Sequence, residues 1–228
     1  MRRLCHARAP LAAQAEAASS GDKPRASSGG DRVASPLDAV TAPAAAASRA
    51  ARAGSSSPDL PAQARLFLAL WPAPDETAEL VRHLAQWRWP AGASLVRHER
   101  LHLTLHFIGA LERRRLAEVS AGLRVPSEDF ALPLSLATIW PRGIAVLQTT
   151  SLPEPLMRLH GRLAEALRVL GLPVEARDFR PHVTLARRAS GAVAPLAAPP
   201  LYWQVGGYVL VESLRGAGGG YVIRERYS

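Results

Sequence analysis

The 228-residue sequence contains a single cysteine, Cys5, so no disulfide can form within the chain and no cysteine-rich zinc module is present. Stability must come from a core without covalent staples, and a reducing, cytoplasmic setting fits that usage. No stretch approaches the roughly 20 uninterrupted apolar residues that a membrane helix requires, so the chain reads as soluble. Residues 1–63 lack Phe, Trp, Tyr and Ile altogether and consist mainly of Ala, Ser, Pro, Gly and Arg. Such a segment has too little to bury to offset the entropy of ordering. A disordered tail over 1–63 ahead of a folded domain over 64–228 is therefore expected. The tail opens "MRRLCHARAPLAAQAEAASS", but His6, Arg8, Gln14 and Glu16 interrupt any secretory h-region. An organellar transit peptide, or a start codon placed too far upstream, are the other readings of it.

What remains is rich enough to fold: the hydrophobic fraction is 48%, sufficient for a core in a chain of this length. The formal charge is +9, and eight Lys or Arg against five Asp or Glu place only +3 of it in the tail, leaving +6 on the domain. A basic domain favours polyanionic partners such as nucleic acid. "RLFLAL" (65–70) has strand length, and "WPAP" then opens a helix, "DETAELVRHLAQW", with Ala78, Val81, Leu84 and Ala85 on one face. "SLVRHERLHLTLHFIG" gives strand, turn and strand; "LERRRLAEVSAGL" an amphipathic helix; "FALPLSLATIW" and "GIAVLQTT" paired strands. "EPLMRLHGRLAEALRVLGL" is a helix stopped by Gly171 and Pro173. "FRPHVTLARR", a Pro-rich connector ending "APPLYW", and a hairpin of "YVLVESL" and "GYVIRERY" around "RGAGGG" complete the chain. Strands and helices alternate without regular βαβ units, which predicts an α+β fold of antiparallel sheets.

One motif occurs twice. "HLTL" at 102–105 returns as "HVTL" at 182–185, each inside an apolar strand. Side chains alternate along a strand, so His102 and Thr104 share one face while Leu101, Leu103 and Leu105 point to the core, and His182 and Thr184 are set against Val183 and Leu185 in the same way. A single His-x-Thr is usually a structural accident. Two copies imply two lobes related by approximate two-fold symmetry, with both histidines on a shared groove. His102 and His106 have the i, i+4 spacing of a helical zinc site, but on a straight strand they stand about 13 Å apart. The residue after His102 is Leu103 rather than the Glu of a zinc hydrolase. A metal pair is rejected, and His106 is expected on the His102 face without an assigned role.

Two imidazoles titrating near neutrality can divide acid and base work between them. Opening a cyclic phosphodiester needs a base to activate water and an acid to protonate the leaving ribose oxygen. Threonine hydroxyls can hold the non-bridging oxygens, and Arg187 and Arg188 follow the second motif to balance charge.

With these residues the chain resembles the two-histidine (2H) phosphoesterase superfamily, and within it the RNA 2',3'-cyclic phosphodiesterases historically called 2'-5' RNA ligases. The resemblance runs through "RLFLALWP", "LHLTLHFIG", "RPHVTLAR" and "YVLVESL", over about residues 64–227. It implies a bilobal fold, two antiparallel sheets with flanking helices and pseudo-two-fold symmetry around a central cleft, and hydrolysis of RNA 2',3'-cyclic ends to 2'-phosphates. In that assignment His102 is the proton donor and His182 the proton acceptor. Thr104 and Thr184 contact the phosphate. Arg187 matches a phosphate-binding arginine, which requires a bulge or strand end because strand parity alone turns it away. No cofactor or metal is implied; the expected partner is RNA with 2',3'-cyclic phosphate ends, tRNA fragments being candidates, and a monomer is expected.

Two departures bear on RNA contacts. Many relatives carry two aromatics in the first strand where Phe67 is followed by Leu68, and often an Arg-aliphatic-aliphatic-Trp strand where this chain reads "GIAVLQ". Trp71, Trp87, Trp89 and Trp203 are expected to pack within the core or between lobes, and Arg113 to Arg115 to mark a solvated helix face. The rival functions are reversible 2'-5' joining of RNA, hydrolysis of a small cyclic nucleotide, and a non-catalytic RNA-binding module.

Overall fold

The computed structural model describes residues 61–196, 198–214 and 219–228. Nearly all of the expected tail, Cys5 with it, and residues 215–218 of the "RGAGGG" turn lie outside the described residues. In chain order the elements are β1 (Gln63–Leu70), α1 (Pro74–Ala85), β2 (Ser94–Leu95), β3 (Leu103–Glu112), α2 (Leu116–Gly122), β4 (Phe130–Leu134), β5 (Leu136–Trp140), β6 (Ile144–Gln148), α3 (Glu154–Val169), β7 (His182–Arg187), β8 (Leu201–Val205), β9 (Tyr208–Ser213) and β10 (Tyr221–Tyr227). The fold is α+β. Its main antiparallel sheet has the order β10-β9-β1-β3-β7-β6-β5, with β2 beside β7, and β4 pairs separately with β8.

The doubled motif is reflected in this order. β1, α1 and β3 make one strand-helix-strand unit, and β6, α3 and β7 make the other, each with its two strands antiparallel. The resemblance implies two antiparallel sheets around the cleft. Instead one pair, Leu103 with Val183, joins β3 to β7 and merges both lobes into one sheet. The reason lies in burial: both motif strands send leucine and valine into a common core, with Leu103, Leu105, Val183 and Leu185 at 3% exposure or less. Their backbones meet there and need partners. α3 stops as predicted. Gly171 takes φ +66, and the amides of Gly171 and Leu172 bond the carbonyls of Arg168 and Leu167, a Schellman closure that favours glycine at this position.

Several local expectations need correction. In α1 the inward stripe is Leu80, His83 and Leu84 continuing to Trp87, while Ala78, Val81 and Ala85 are exposed. Docking has selected the neighbouring i, i+3, i+4 stripe. The helix expected over 111–123 begins later, at Leu116, because β3 keeps pairing with β1 through Leu111 and Glu112. "FALPLSLATIW" is split: β5 pairs with β6 as expected, but β4 pairs with β8, the "LYWQV" segment that reads as the end of a connector. Alternating burial of Leu201, Trp203 and Val205 against Leu132 and Leu134 drives that pairing, which the preceding prolines obscure. Arg113 is no solvated helix residue: its guanidinium lies on the buried Glu212, with Nη2 at 2.6 Å from Oε1. β1 also starts one residue inside the expected tail, Gln63 pairing with Glu112.

Candidate active site

The two motif histidines are held alike. His102 stands immediately before β3 and His182 opens β7, and each lies two residues after an arginine: the repeat is Arg-x-His-x-Thr-Leu, beginning at Arg100 and Arg180. In each copy Nδ1–H donates to that arginine's carbonyl oxygen at 2.7 Å. Leu101 is extended, and Pro181 restricts Arg180 to extended backbone, so both carbonyls are set in place by the local chain. The Nδ1 tautomer is thereby fixed, and Nε2 is the nitrogen left to exchange a proton. Extending the Leu103–Val183 register places His102 opposite Thr184 and Thr104 opposite His182. In a regular sheet the diagonal pair His102 and His182 would stand about 7–8 Å apart, with their Cβ atoms somewhat closer.

A bulge at the same place in each repeat completes the site. On β7, Thr184 and Ala186 face consecutive residues of β6, so Leu185 is the extra residue. On β3, Thr104 and His106 face consecutive residues of β1, so Leu105 is the extra one. Each bulge reverses the alternation that follows it. Ala186 is buried and Arg187 turns to the cleft; His106 is buried at 2% exposure and Phe107 turns to the cleft at 46%. The bulge that Arg187 requires is thus present. The expectation for His106 is corrected: it leaves the His102 face for the core side.

A cleft of about 730 Å³ collects His102, Thr104, His182, Thr184 and Arg187, so all five sequence-predicted residues line one cavity. Arg97, Arg100 and Arg177 line it too, as do Phe107, Trp140 and Tyr221. A neighbouring cavity of about 530 Å³ shares Thr104, Phe107, Trp140 and His182 and extends to Phe179. Phe67, the first-strand aromatic, lines the cleft as well, whereas Phe107, Trp140 and Tyr221 are not anticipated from the sequence. Phe107 could have been found by aligning the repeat, since it stands five residues after His102 as Arg187 stands five after His182.

The surroundings of the two rings differ. Trp71 stacks on His102 at 5.5 Å with an interplanar angle of 7°, and Phe67 and Tyr221 close in at 5.0 and 5.2 Å. His182 has Trp140 at 4.3 Å, and the Trp140 indole N–H is tied to Gln148. Trp203 and Trp87 are buried and Trp89 stacks on Trp87, as expected, whereas Trp71 and Trp140 abut the histidines. Burial lowers the His102 pKa to about 4, with the His182 and Arg187 charges acting the same way and the Arg100 carbonyl opposing them. Burial also lowers the His182 pKa, helped by Arg177 and Arg187 and opposed by the Arg180 carbonyl. Among the described residues no three His, Cys, Asp or Glu side chains come together as metal ligands, and no helix is long and apolar enough to cross a membrane.

Residues 72–216, more than half of the chain, match the family model described as the 2'-5' RNA ligase superfamily. The RNA 2',3'-cyclic phosphodiesterase of Escherichia coli K12 is 33% identical over 146 residues, covering 61% of this chain and 80% of the relative. Its counterpart in Thermus thermophilus is 32% identical over 184 residues, covering 72% of this chain and 89% of the relative. The apo crystal structure of E. coli LigT superposes with a TM-score of 0.62 at 25% identity, covering 72% of this chain and 96% of that one. The chain belongs to the 2'-5' RNA ligase superfamily, a branch of the two-histidine phosphoesterases.

Proposed function

We propose that this protein is a cytoplasmic phosphodiesterase that hydrolyses the 2',3'-cyclic phosphate ends of RNA to 2'-phosphomonoesters. One observation carries the reading: two His-x-Thr pairs meet in a single cleft, each histidine locked through Nδ1 so that Nε2 is the exchanging nitrogen. His182 Nε2 takes a proton from water as the water oxygen bonds to phosphorus. The P–O3' bond breaks, and His102 Nε2–H delivers its proton to O3'. Thr104, Thr184 and Arg187 hold the non-bridging oxygens where charge gathers, and Phe107, Trp140 and Tyr221 offer faces for a nucleobase. The names of the E. coli and Thermus relatives support the same substrate. The test is incubation of an oligonucleotide ending in 2',3'-cyclic phosphate in EDTA: full turnover is expected, since both protons are handled by imidazole, and dependence on added divalent metal would refute the scheme. The second cavity beyond His182 favours one subsidiary reading, reversible joining, in which a nucleoside 5'-hydroxyl replaces water.

Two further outcomes follow from the same geometry. Arg187→Ala is expected to lower kcat/KM by roughly 10- to 100-fold, the range for losing one charged hydrogen bond. An effect below about twofold would remove Arg187 from the phosphate site. The pH profile comes next. In the free enzyme both histidine pKa values are lowered, His102 to about 4, so the singly protonated pair becomes scarce above the ordinary histidine value. Above about pH 6.5, kcat/KM should therefore fall roughly tenfold per pH unit. The bound phosphodiester anion stabilises imidazolium and raises its pKa, so the descending limb of kcat should lie at higher pH than that of kcat/KM. Coincident limbs would contradict this.

A further inference from the structure

His106 is withheld from the cleft by the Leu105 bulge, yet it is a buried polar ring on the strand that follows His102. Its ring stacks on His160 of α3 at a centroid distance of 4.0 Å and 21°, and the His160 ring stacks in turn on Phe179 at 4.0 Å and 17°. The His106 Nε2–H donates to the His160 backbone carbonyl at 2.9 Å, which pins the ring to the helix as well as to its side chain. Phe179 directly precedes Arg180, whose carbonyl orients His182. Three flat rings therefore run from the first motif strand, through α3, to the loop that sets the second histidine.

The position of that loop matters because it carries the carbonyl that orients His182. β3 and β7 are joined by the single residue pair Leu103 and Val183. β2 holds the far end of β7, Ser94 pairing with Arg187 and Leu95 with Ala186, and the Val96 amide donates to the Leu185 carbonyl. The stack supplies a tie at the opposite end, ahead of His182. Its counterpart in the other repeat is absent, since the residue equivalent to His106 is Ala186.

We infer that His106 and His160 are positioning residues, whose stack against Phe179 fixes the loop carrying Arg180 and thereby aims His182 across the cleft at His102. The inference rests on the paired-histidine reading above. The rings act by their flat faces, so phenylalanine at 160 preserves the device and leucine, of similar bulk, does not.

The test uses the full chain with His160→Phe, His160→Leu and His160→Ala, assayed on an oligonucleotide ending in 2',3'-cyclic phosphate. Leucine and alanine should lower kcat about tenfold or more with KM within about twofold, since a misaimed base loses rate rather than binding. Phenylalanine should restore kcat to within about threefold of wild type. The ring-proton resonance of His182 Nδ1–H should shift in the leucine variant and return in the phenylalanine variant. A leucine variant with wild-type kcat but a lowered Tm would make the stack structural only and overturn the inference, as would a phenylalanine variant no better than leucine. If the wild type fails to turn over the substrate, the proposed function falls; the His182 resonance then decides the positioning role alone, an unchanged signal overturning it.

Discussion

Replacing either His102 or His182 with alanine is expected to lower kcat by about 10²- to 10⁴-fold, the usual worth of a positioned acid or base. The double variant should be little worse than the poorer single one, because in the proposed mechanism the two groups serve the same transition state and their effects do not add. Folding should survive. Both rings stand at the cleft wall, while the leucines and valines on the opposite face of their strands carry the burial. Product formation from a cyclic-phosphate oligonucleotide, followed beside the unfolding midpoint of each variant, checks both statements. A single variant retaining kcat within about tenfold of wild type would remove that histidine from the chemistry.

The largest stability effect is expected at a buried residue that does not line the cleft. Glu212 of β9 is 1% exposed and lies between two arginines, Arg113 with Nη2 at 2.6 Å and Arg224 with Nε at 2.7 Å. Burial pushes its carboxyl pKa up, but the two arginines outweigh this and hold it below the ordinary value. The double variant Arg113→Ala/Arg224→Ala leaves a buried carboxylate uncompensated and should cost about 3–5 kcal/mol. Adding Glu212→Gln should recover part of that loss, since an amide tolerates the site better than a lone charge. Because the Glu212 pKa is depressed in the folded state, its contribution is present above the ordinary carboxylate pKa and disappears as pH falls through the folded value. Urea unfolding curves at neutral pH measure the effect; a loss under about 1 kcal/mol for the double variant would show that Glu212 reaches water. Arg113 Nε also donates to the Pro61 carbonyl, a bond just ahead of β1 that the same variant removes.

The sequence reveals the site better than it reveals the fold around it. His102, Thr104, His182 and Thr184 can be paired at 80 residues' separation because period-two alternation fixes their common face and because the motif repeats. Arg187 is reached by resemblance, and the missing physical link is the bulge at Leu185. Bulges leave no mark in an apolar run such as "HLTLHFIG". For that reason alternation alone puts His106 on the wrong face and passes over Phe107. The β4–β8 pair escapes notice for a different reason: its strands are far apart in sequence, and the Pro-rich approach to Leu201 resembles a loop. Arg113 looks like one charge of a solvated run because its partner, Glu212, is 99 residues away. Local patterns carry strand faces and helix stops; long-range ion pairs and register shifts depend on which surfaces meet.

The most direct measurement is the identity of the terminal phosphate, read by ³¹P NMR after complete reaction of an oligonucleotide 2',3'-cyclic phosphate with the wild-type protein in EDTA. Protonation of O3' by His102 predicts a 2'-phosphomonoester as the sole product, with no such product from His102→Ala over the same time. A 3'-phosphomonoester, or equal product from the His102→Ala variant, would contradict the account.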